Sequence, residues 1–194
     1  IEELEKERSG SPKHFLCYLK SILWTRQYYC EGVASIDLTN TPFLQACRCE
    51  PAKHVPVWFM RQAGRSLPEY RALRKEGSIL DTLKKPDVSA EITLQPIRRY
   101  GVDAAILYSD IVVPVHAVGF GVDIKPGVGP VTDNPFRSAE DLKRLRELDP
   151  FHDTPYVIET IRICVDQLDT PLIGFAGGPF TIASYLIEGG PSRS

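Results

Sequence analysis

Pro56-Val57-Trp58-Phe59-Met60-Arg61-Gln62-Ala63-Gly64-Arg65 is an apolar run that passes directly into two arginines four positions apart, with a glycine between them. The apolar part, Val55–Met60, predicts a short buried strand. A strand ending in paired guanidinium groups delivers fixed positive charge to a sheet edge, where open α/β sheets and α/β barrels place their ligands. Arginine grips carboxylates or phosphates in a planar, two-pronged geometry. The segment therefore predicts an anionic ligand. An Arg-x-x-x-Arg spacing alone is a weak signal, and the weight lies in the whole decapeptide.

Outward from that segment, strand and helix signals alternate. Asn40 or Thr41 can cap a short helix through Cys47, with Pro42 in its first turn. Pro68 to Lys75 starts a second helix, and Ser78 to Leu83 is a third short piece closed by Pro86. Pro86 to Tyr100 carries Val88, Ile92, Leu94 and Ile97 close to helical spacing, with Arg98-Arg99 suiting the helix dipole and Gly101 supplying the stop. Ala104 to Tyr108 reads as a second buried strand, ending at Ser109-Asp110. Val122 to Val131 alternates around glycine and proline and reads as a hairpin. Ala139 to Leu148 is a charged surface helix. Pro155 to Leu168 is amphipathic, Leu172 to Ala176 is a third strand, and Phe180 to Ile187 opens another helix. Such alternation implies an α/β fold with a parallel sheet. Spacing alone fits a barrel or a doubly wound sheet.

The 43% apolar content supports a core, and a net charge of −2 gives no general attraction to nucleic acid or anionic lipid, so cationic chemistry must be local. No run approaches the roughly 18 apolar residues of a membrane span; the longest candidate, Phe15 to Trp24, is short and contains Lys20. Five cysteines make an odd count without a Cys-x-x-Cys pair, which fits reduced cytosolic thiols. Cys47-Arg48-Cys49 is too tight for a zinc knuckle, the four histidines are scattered, and no metal site is read.

Several blocks together resemble one family. The decapeptide, Leu94-Gln95-Pro96-Ile97-Arg98-Arg99-Tyr100, Ala104-Ala105-Ile106-Leu107-Tyr108-Ser109-Asp110-Ile111, Gly174-Phe175-Ala176-Gly177-Gly178-Pro179-Phe180-Thr181 and Ser184-Tyr185-Leu186-Ile187-Glu188-Gly189-Gly190-Pro191 look like the uroporphyrinogen decarboxylases, in that family's order. The resemblance runs from about Asn40 to Ser194. It implies a (β/α)8 TIM barrel, of which this chain holds the N-terminal portion. Residues 1–37 are then an extension outside the family, and 38–194 the first part of the barrel domain.

The family's reaction is the removal of CO2 from the four acetate arms of uroporphyrinogen III, giving coproporphyrinogen III without a cofactor. By resemblance Arg61, Gln62, Ala63, Gly64 and Arg65 form a substrate-binding loop whose arginines pair with the carboxylates of the tetrapyrrole. Asp110 stands at a strand end, where barrel enzymes keep their catalytic groups. Loss of CO2 from a pyrrole acetate requires an electron sink, which the protonated ring provides. An ionised carboxylate near the pyrrole N–H groups orients the substrate and stabilises that cation. Resemblance assigns this role to Asp110 and a substrate contact to Tyr185. Gly177-Gly178-Pro179 reads as a tight turn shaping the pocket wall, and the family often has alanine at the position of Gly178. Arg98 and Arg99 read as structural, and Arg71, Arg74, Arg144 and Arg146 as a solvated face. The resemblance further implies a cytoplasmic homodimer with no membrane or nucleic-acid partner.

Two other readings remain open at this point: a related zinc-dependent corrinoid methyltransferase, and a noncatalytic tetrapyrrole-binding protein. The chain opens on Ile1, its only methionine is Met60, and Pro191-Ser192-Arg193-Ser194 stops inside a motif. The expectation is a fragment that is inactive by itself.

Overall fold

The computed structural model describes residues 36–74, 77–125 and 127–190. By its contacts the chain divides at Asp37/Leu38, and every element named below belongs to the unit Leu38–Ser194. The helix considered at Phe15–Tyr29 lies outside the described residues.

The helices are α1 Pro42–Cys47, α2 Pro68–Leu73, α3 Ile79–Leu83, α4 Pro86–Tyr100, α5 Val113–Ala117, α6 Pro150–Asp153, α7 Pro155–Gln167 and α8 Pro179–Glu188. Six of these eight start on proline, whose fixed φ suits the first turn and whose missing N–H is not needed there. Ser78 and Asp81 close a capping box on α3. Gly101 ends α4 at φ 59°, a left-handed conformation that glycine adopts without a Cβ penalty. Thr41 precedes α1, but its hydroxyl turns back and donates to the Leu38 carbonyl at 2.7 Å.

The parallel sheet consists of β1 Ala105–Ile106 and β4 Leu172–Ile173, with Ala105 opposite Leu172. The hairpin expected at Val122 to Val131 is present as β2 Val122–Lys125 and β3 Gly129–Thr132. Helix α7 returns the chain to β4, so β1, α7 and β4 form a strand–helix–strand unit. Its core is Ala90, Leu94 and Ile97 of α4 packed against Cys164 and Leu168, closing on Ala105 and Leu172. Burial pushes the Cys164 thiol up to about 11, with a hydrogen bond to Thr93 opposing, so this cysteine packs as an inert apolar group. A second cluster gathers Leu80, Leu83, Val112, Val113, Phe120, Val122, Phe136 and Leu186. Phe120 and Phe136 meet edge to face at 5.4 Å.

Two expectations need correction. Val55–Met60 is not part of a sheet among the described residues, and Val55, Val57, Trp58, Phe59 and Met60 are exposed. Side chains have taken the backbone groups that a strand would use. The Asp103 carboxylate accepts from Val57 N–H at 2.7 Å, and the Gln62 carboxamide bonds both Phe59 N–H (3.1 Å) and Ala104 C=O (3.0 Å).

The solvated face fails for two of its four arginines, Arg74 and Arg144, whereas Arg71 and Arg146 are exposed. Ala139–Arg144 is a 3-10 helix that ends in extended chain at Leu145, so the side chains do not follow an α-helical surface. Arg144 lies over the Phe136 ring at 4.4 Å and donates to the Asn134 carbonyl. Arg146 grips Asp153 with two nitrogens at 2.8 and 2.9 Å, which holds that nearly enclosed carboxyl well below the usual range. Arg74, half-buried, donates to the Ser78 carbonyl at 2.8 Å and to Thr82 Oγ1. Arg98 and Arg99, read as structural, are exposed and pair with Glu91 and Glu69.

Thr93 joins α4 to the chain beyond β1. Fully buried, its hydroxyl donates to the Ser89 carbonyl at 2.8 Å and accepts from Tyr108 N–H at 2.9 Å. Thr93→Val keeps the shape and strands that N–H, a loss of about 1–3 kcal/mol. Urea melts should resolve it, and an unchanged midpoint would show that Thr93 is dispensable for this junction.

Candidate active site

Past β1 the chain runs through Leu107, Tyr108 and Ser109 to Asp110. Leu107 N–H still bonds the Ile173 carbonyl at 3.0 Å, so the strand end is fixed up to the residue before Tyr108. Asp110 is half-buried; its Oδ1 accepts from Val112 N–H at 3.0 Å and its carbonyl from Val113 N–H at 3.2 Å. The residue thus closes the turn that starts α5. Burial pushes its carboxyl up from the ordinary value, and the Val112 N–H only partly opposes this. One side-chain oxygen is committed to the turn, and the other has no protein hydrogen bond among the described residues.

Tyr108 stands two residues before Asp110, on the same side of an extended chain. Its ring meets Tyr70 edge to face at 6.1 Å, and its enclosed hydroxyl lacks a geometrically formed hydrogen bond. Burial first, and Tyr70 second, push that phenol far above its ordinary value, so it is a neutral donor at any working pH. The sequence reading passed over Tyr108, although its position alternates with Asp110.

The other wall follows β4. Gly177 lies against Ile111 and Ile182, and α8 begins at Pro179. Tyr185 is half-buried on α8 and packs against the second apolar cluster, as do Ile182 and Ile111. Its carbonyl accepts from Thr132 Oγ1 at 3.2 Å, which ties α8 to the hairpin. Phe180, in the first turn of α8, is almost fully exposed at this rim. Gly177 thus lies against Ile111, the residue after Asp110, while Tyr185 belongs to the same apolar cluster as Ile111.

The arginine segment forms two successive turns. Gln62 N–H bonds the Phe59 carbonyl at 3.0 Å, and Leu67 N–H bonds the Gly64 carbonyl at 3.0 Å. Arg61 and Arg65 occupy the corners and are exposed; Gln62 and Leu67, each at a fourth position, are buried to 5% and 1% exposure. Neither guanidinium has an ion-pair partner among the described residues. Ala63 and Gly64 join the turns and are half-buried. An open cleft of about 220 Å³ beside them is lined by Phe59, Arg61, Gln62, Ser66 and Tyr100. These turns are bonded to the start of β1, whereas Asp110 lies beyond its end, so the structure does not bring arginines and aspartate into direct contact. The larger cleft, about 390 Å³, is elsewhere, at Asp103 and Asp169–Thr170 ahead of β1 and β4.

Comparison with known proteins gives a consistent picture. Residues 38–194 match the family model for uroporphyrinogen decarboxylase (URO-D). A curated uroporphyrinogen decarboxylase from Thermobifida fusca is 60% identical over 162 residues, covering 83% of this chain and 45% of that protein. One from Geobacillus thermodenitrificans is 59% identical over 156 residues, covering 80% and 45%. The chain thus spans about 45% of the length of these relatives. Among solved structures, a methyltransferase from Methanosarcina mazei aligns with a TM-score of 0.62 at 24% identity, over 77% of this chain and 45% of that one. That likeness establishes a TIM-barrel-like α/β fold, although the described residues form no closed barrel.

The glycine pair separates packing from chemistry. A Cβ on Gly177 would lie 2.5 and 2.7 Å from Ile182 and 3.1 Å from Ile111, whereas one on Gly178 meets nothing nearer than 3.8 Å. Gly177→Ala should therefore cost about 1–3 kcal/mol by overpacking the first turn of α8, and Gly178→Ala should be neutral. Equal melting temperatures for the two variants would refute this placement of the turn.

Proposed function

This chain belongs to the uroporphyrinogen decarboxylase family, and from that premise we propose that it supplies the N-terminal part, residues 38–194, of a (β/α)8 barrel that decarboxylates uroporphyrinogen III. The four acetate arms lose CO2 and coproporphyrinogen III results, without a cofactor. The observation that carries the reading is Asp110, a half-enclosed carboxylate held at a strand end by one oxygen with the other open to a ligand. In this reading the open oxygen accepts from pyrrole N–H groups and stabilises the cationic ring formed when a pyrrole carbon is protonated. The Arg61 and Arg65 turns take carboxylates at the rim, and Tyr185 bounds the pocket on the α8 side.

The separation of these groups supports a large ligand. Ala104 and Asp110 are six residues apart, at most about 20 Å of extended chain. A ring of four pyrroles with carboxylate arms around its whole edge is wide enough to reach both places at once. The methyltransferase alternative is less well supported, since at 24% identity that likeness concerns the fold, while the relatives near 60% identity are decarboxylases. We further propose a cytoplasmic homodimer. No helix among the described residues is long and apolar enough to cross a membrane.

Burial of Asp110 has two consequences of opposite sign. The working form is the carboxylate, and burial raises its pKa, so activity should fail on acidification at a higher pH than an ordinary aspartate would give. For folding, a raised carboxyl pKa means that the native state binds more protons than the unfolded one between the two values. Stability is therefore lost as pH rises through that interval, and the ionised Asp110 burdens the fold. Asp110→Asn keeps the acceptor for Val112 N–H and removes the charge. In the complete protein it should reduce uroporphyrinogen turnover by about 10²–10³ with an equal or higher melting temperature. Near wild-type CO2 release would sink the proposed role, and a large fall in melting temperature would make Asp110 a structural residue. Arg61→Ala and Arg65→Ala should each weaken uroporphyrin binding by roughly 1.5–3 kcal/mol, with Arg→Lys rescuing only partly. Unchanged affinity in both alanine variants would return them to plain surface charge.

A further inference from the structure

We infer that Gln62 is a positioning residue that sets the place of Arg61 from within the protein and does not itself bind the ligand. The inference rests on the proposed carboxylate-rich ligand, but its geometry is independent of it. Gln62 is 5% exposed, unlike the arginine before it. Its carboxamide is used at both ends: Oε1 accepts from Phe59 N–H at 3.1 Å and Nε2 donates to the Ala104 carbonyl at 3.0 Å. Its own backbone N–H donates to the Phe59 carbonyl at 3.0 Å. One residue thus closes the Phe59–Gln62 turn twice and fastens it to the residue before β1.

The carboxamide acts as an inserted peptide unit. Phe59 N–H is a donor and Ala104 C=O an acceptor of the kind that a strand ladder satisfies. Gln62 lies between them, satisfies both, and keeps this stretch out of the ladder. The result is a turn with Arg61 at its corner. The Asp103 carboxylate completes the attachment, accepting from Val57 N–H at 2.7 Å and holding His54 Nε2 at 2.7 Å, while Asp103 N–H bonds the Val57 carbonyl at 2.9 Å. Partial burial pushes Asp103 up, but the Val57 N–H, the His54 hydrogen bond and the His54 charge outweigh it and hold the carboxyl below its ordinary value. The anchor therefore stays charged across the neutral range. A long, flexible arginine gains affinity only when its base is fixed, because ordering the loop is otherwise deducted from every contact it makes.

Gln62→Met tests this, since methionine keeps the length and the burial while removing both hydrogen bonds. In the complete protein we expect uroporphyrin affinity to fall by roughly 10-fold, the equivalent of one or two neutral hydrogen bonds, with KM raised and kcat near wild type. Amide hydrogen exchange at Phe59 should quicken in the ligand-free protein. Gln62→Glu should behave alike near neutral pH and recover as pH falls, because a protonated carboxyl again offers one donor and one acceptor. Lost affinity with unchanged Phe59 exchange would overturn the inference and make Gln62 a ligand contact. Unchanged affinity in Gln62→Met beside a clear loss in Arg61→Ala would overturn it as well. Unchanged affinity in both, with faster exchange at Phe59, would instead strike the carboxylate-ligand reading and leave Gln62 with a purely structural role in the turn.

Discussion

The backbone of Asp103–Tyr108 is shared among separate partners, and the arrangement of the unit follows from that sharing. Ala105 N–H and Leu107 N–H go to Pro171 and Ile173 on the β4 side. Tyr108 N–H goes to the Thr93 hydroxyl of α4, Asp103 N–H to Val57, and Ala104 C=O to Gln62. A stretch of extended chain has buried donors and acceptors that must all be satisfied. Here three separate segments answer them, so the sheet, the helix layer and the arginine turns are all located by one short strand. Ala104 and Ala105 are fully buried, which leaves no room at this crossing for a larger side chain.

How much of this could be read beforehand depended on which interactions were local. Proline at the first turn, glycine after the last, and period-3.6 apolar positions placed α1, α4, α7 and α8 within a residue or two. The glycine- and proline-broken alternation placed the hairpin. The roles of Asp110 and Tyr185 were legible only through resemblance; the structure sets Asp110 in the turn before α5 and Tyr185 against the second apolar cluster, and does not by itself assign them a role. Tyr108 was overlooked because a tyrosine in an apolar strand carries no signal of its own.

The misreadings share one cause. Arg74 and Arg144 were assigned to solvent on the rule that a basic residue on a short charged helix faces water, yet both are half-buried. Thr82 and Phe136, which hold them, each lie 8 positions away, beyond helical neighbours, and Ala139–Arg144 winds as a 3-10 helix. Val55–Met60 was assigned to a strand on composition, which registers side-chain polarity and says nothing of a glutamine three residues on from Phe59 that can imitate a backbone peptide. Periodicity describes which face an element presents; it does not describe a side chain that competes for the ladder itself.

Asp110 shows why the candidate site is separable from the fold. The turn into α5 needs an acceptor for Val112 N–H, which an asparagine would provide as well as an aspartate. The fold therefore explains a short polar side chain at this position but not a negative charge. Burial disfavours that charge, and no cation answers it at hydrogen-bonding distance among the described residues. Local strain of this kind is what pre-organisation for a developing positive charge requires, since a carboxylate already neutralised by arginine could add little to the stabilisation of a pyrrole cation. The arginines, which have no ion-pair partner among the described residues, are tied to the other end of β1, where in the proposed reading they attract carboxylates without quenching Asp110. The separation of opposite charges along one strand is thus what the proposed reaction would use.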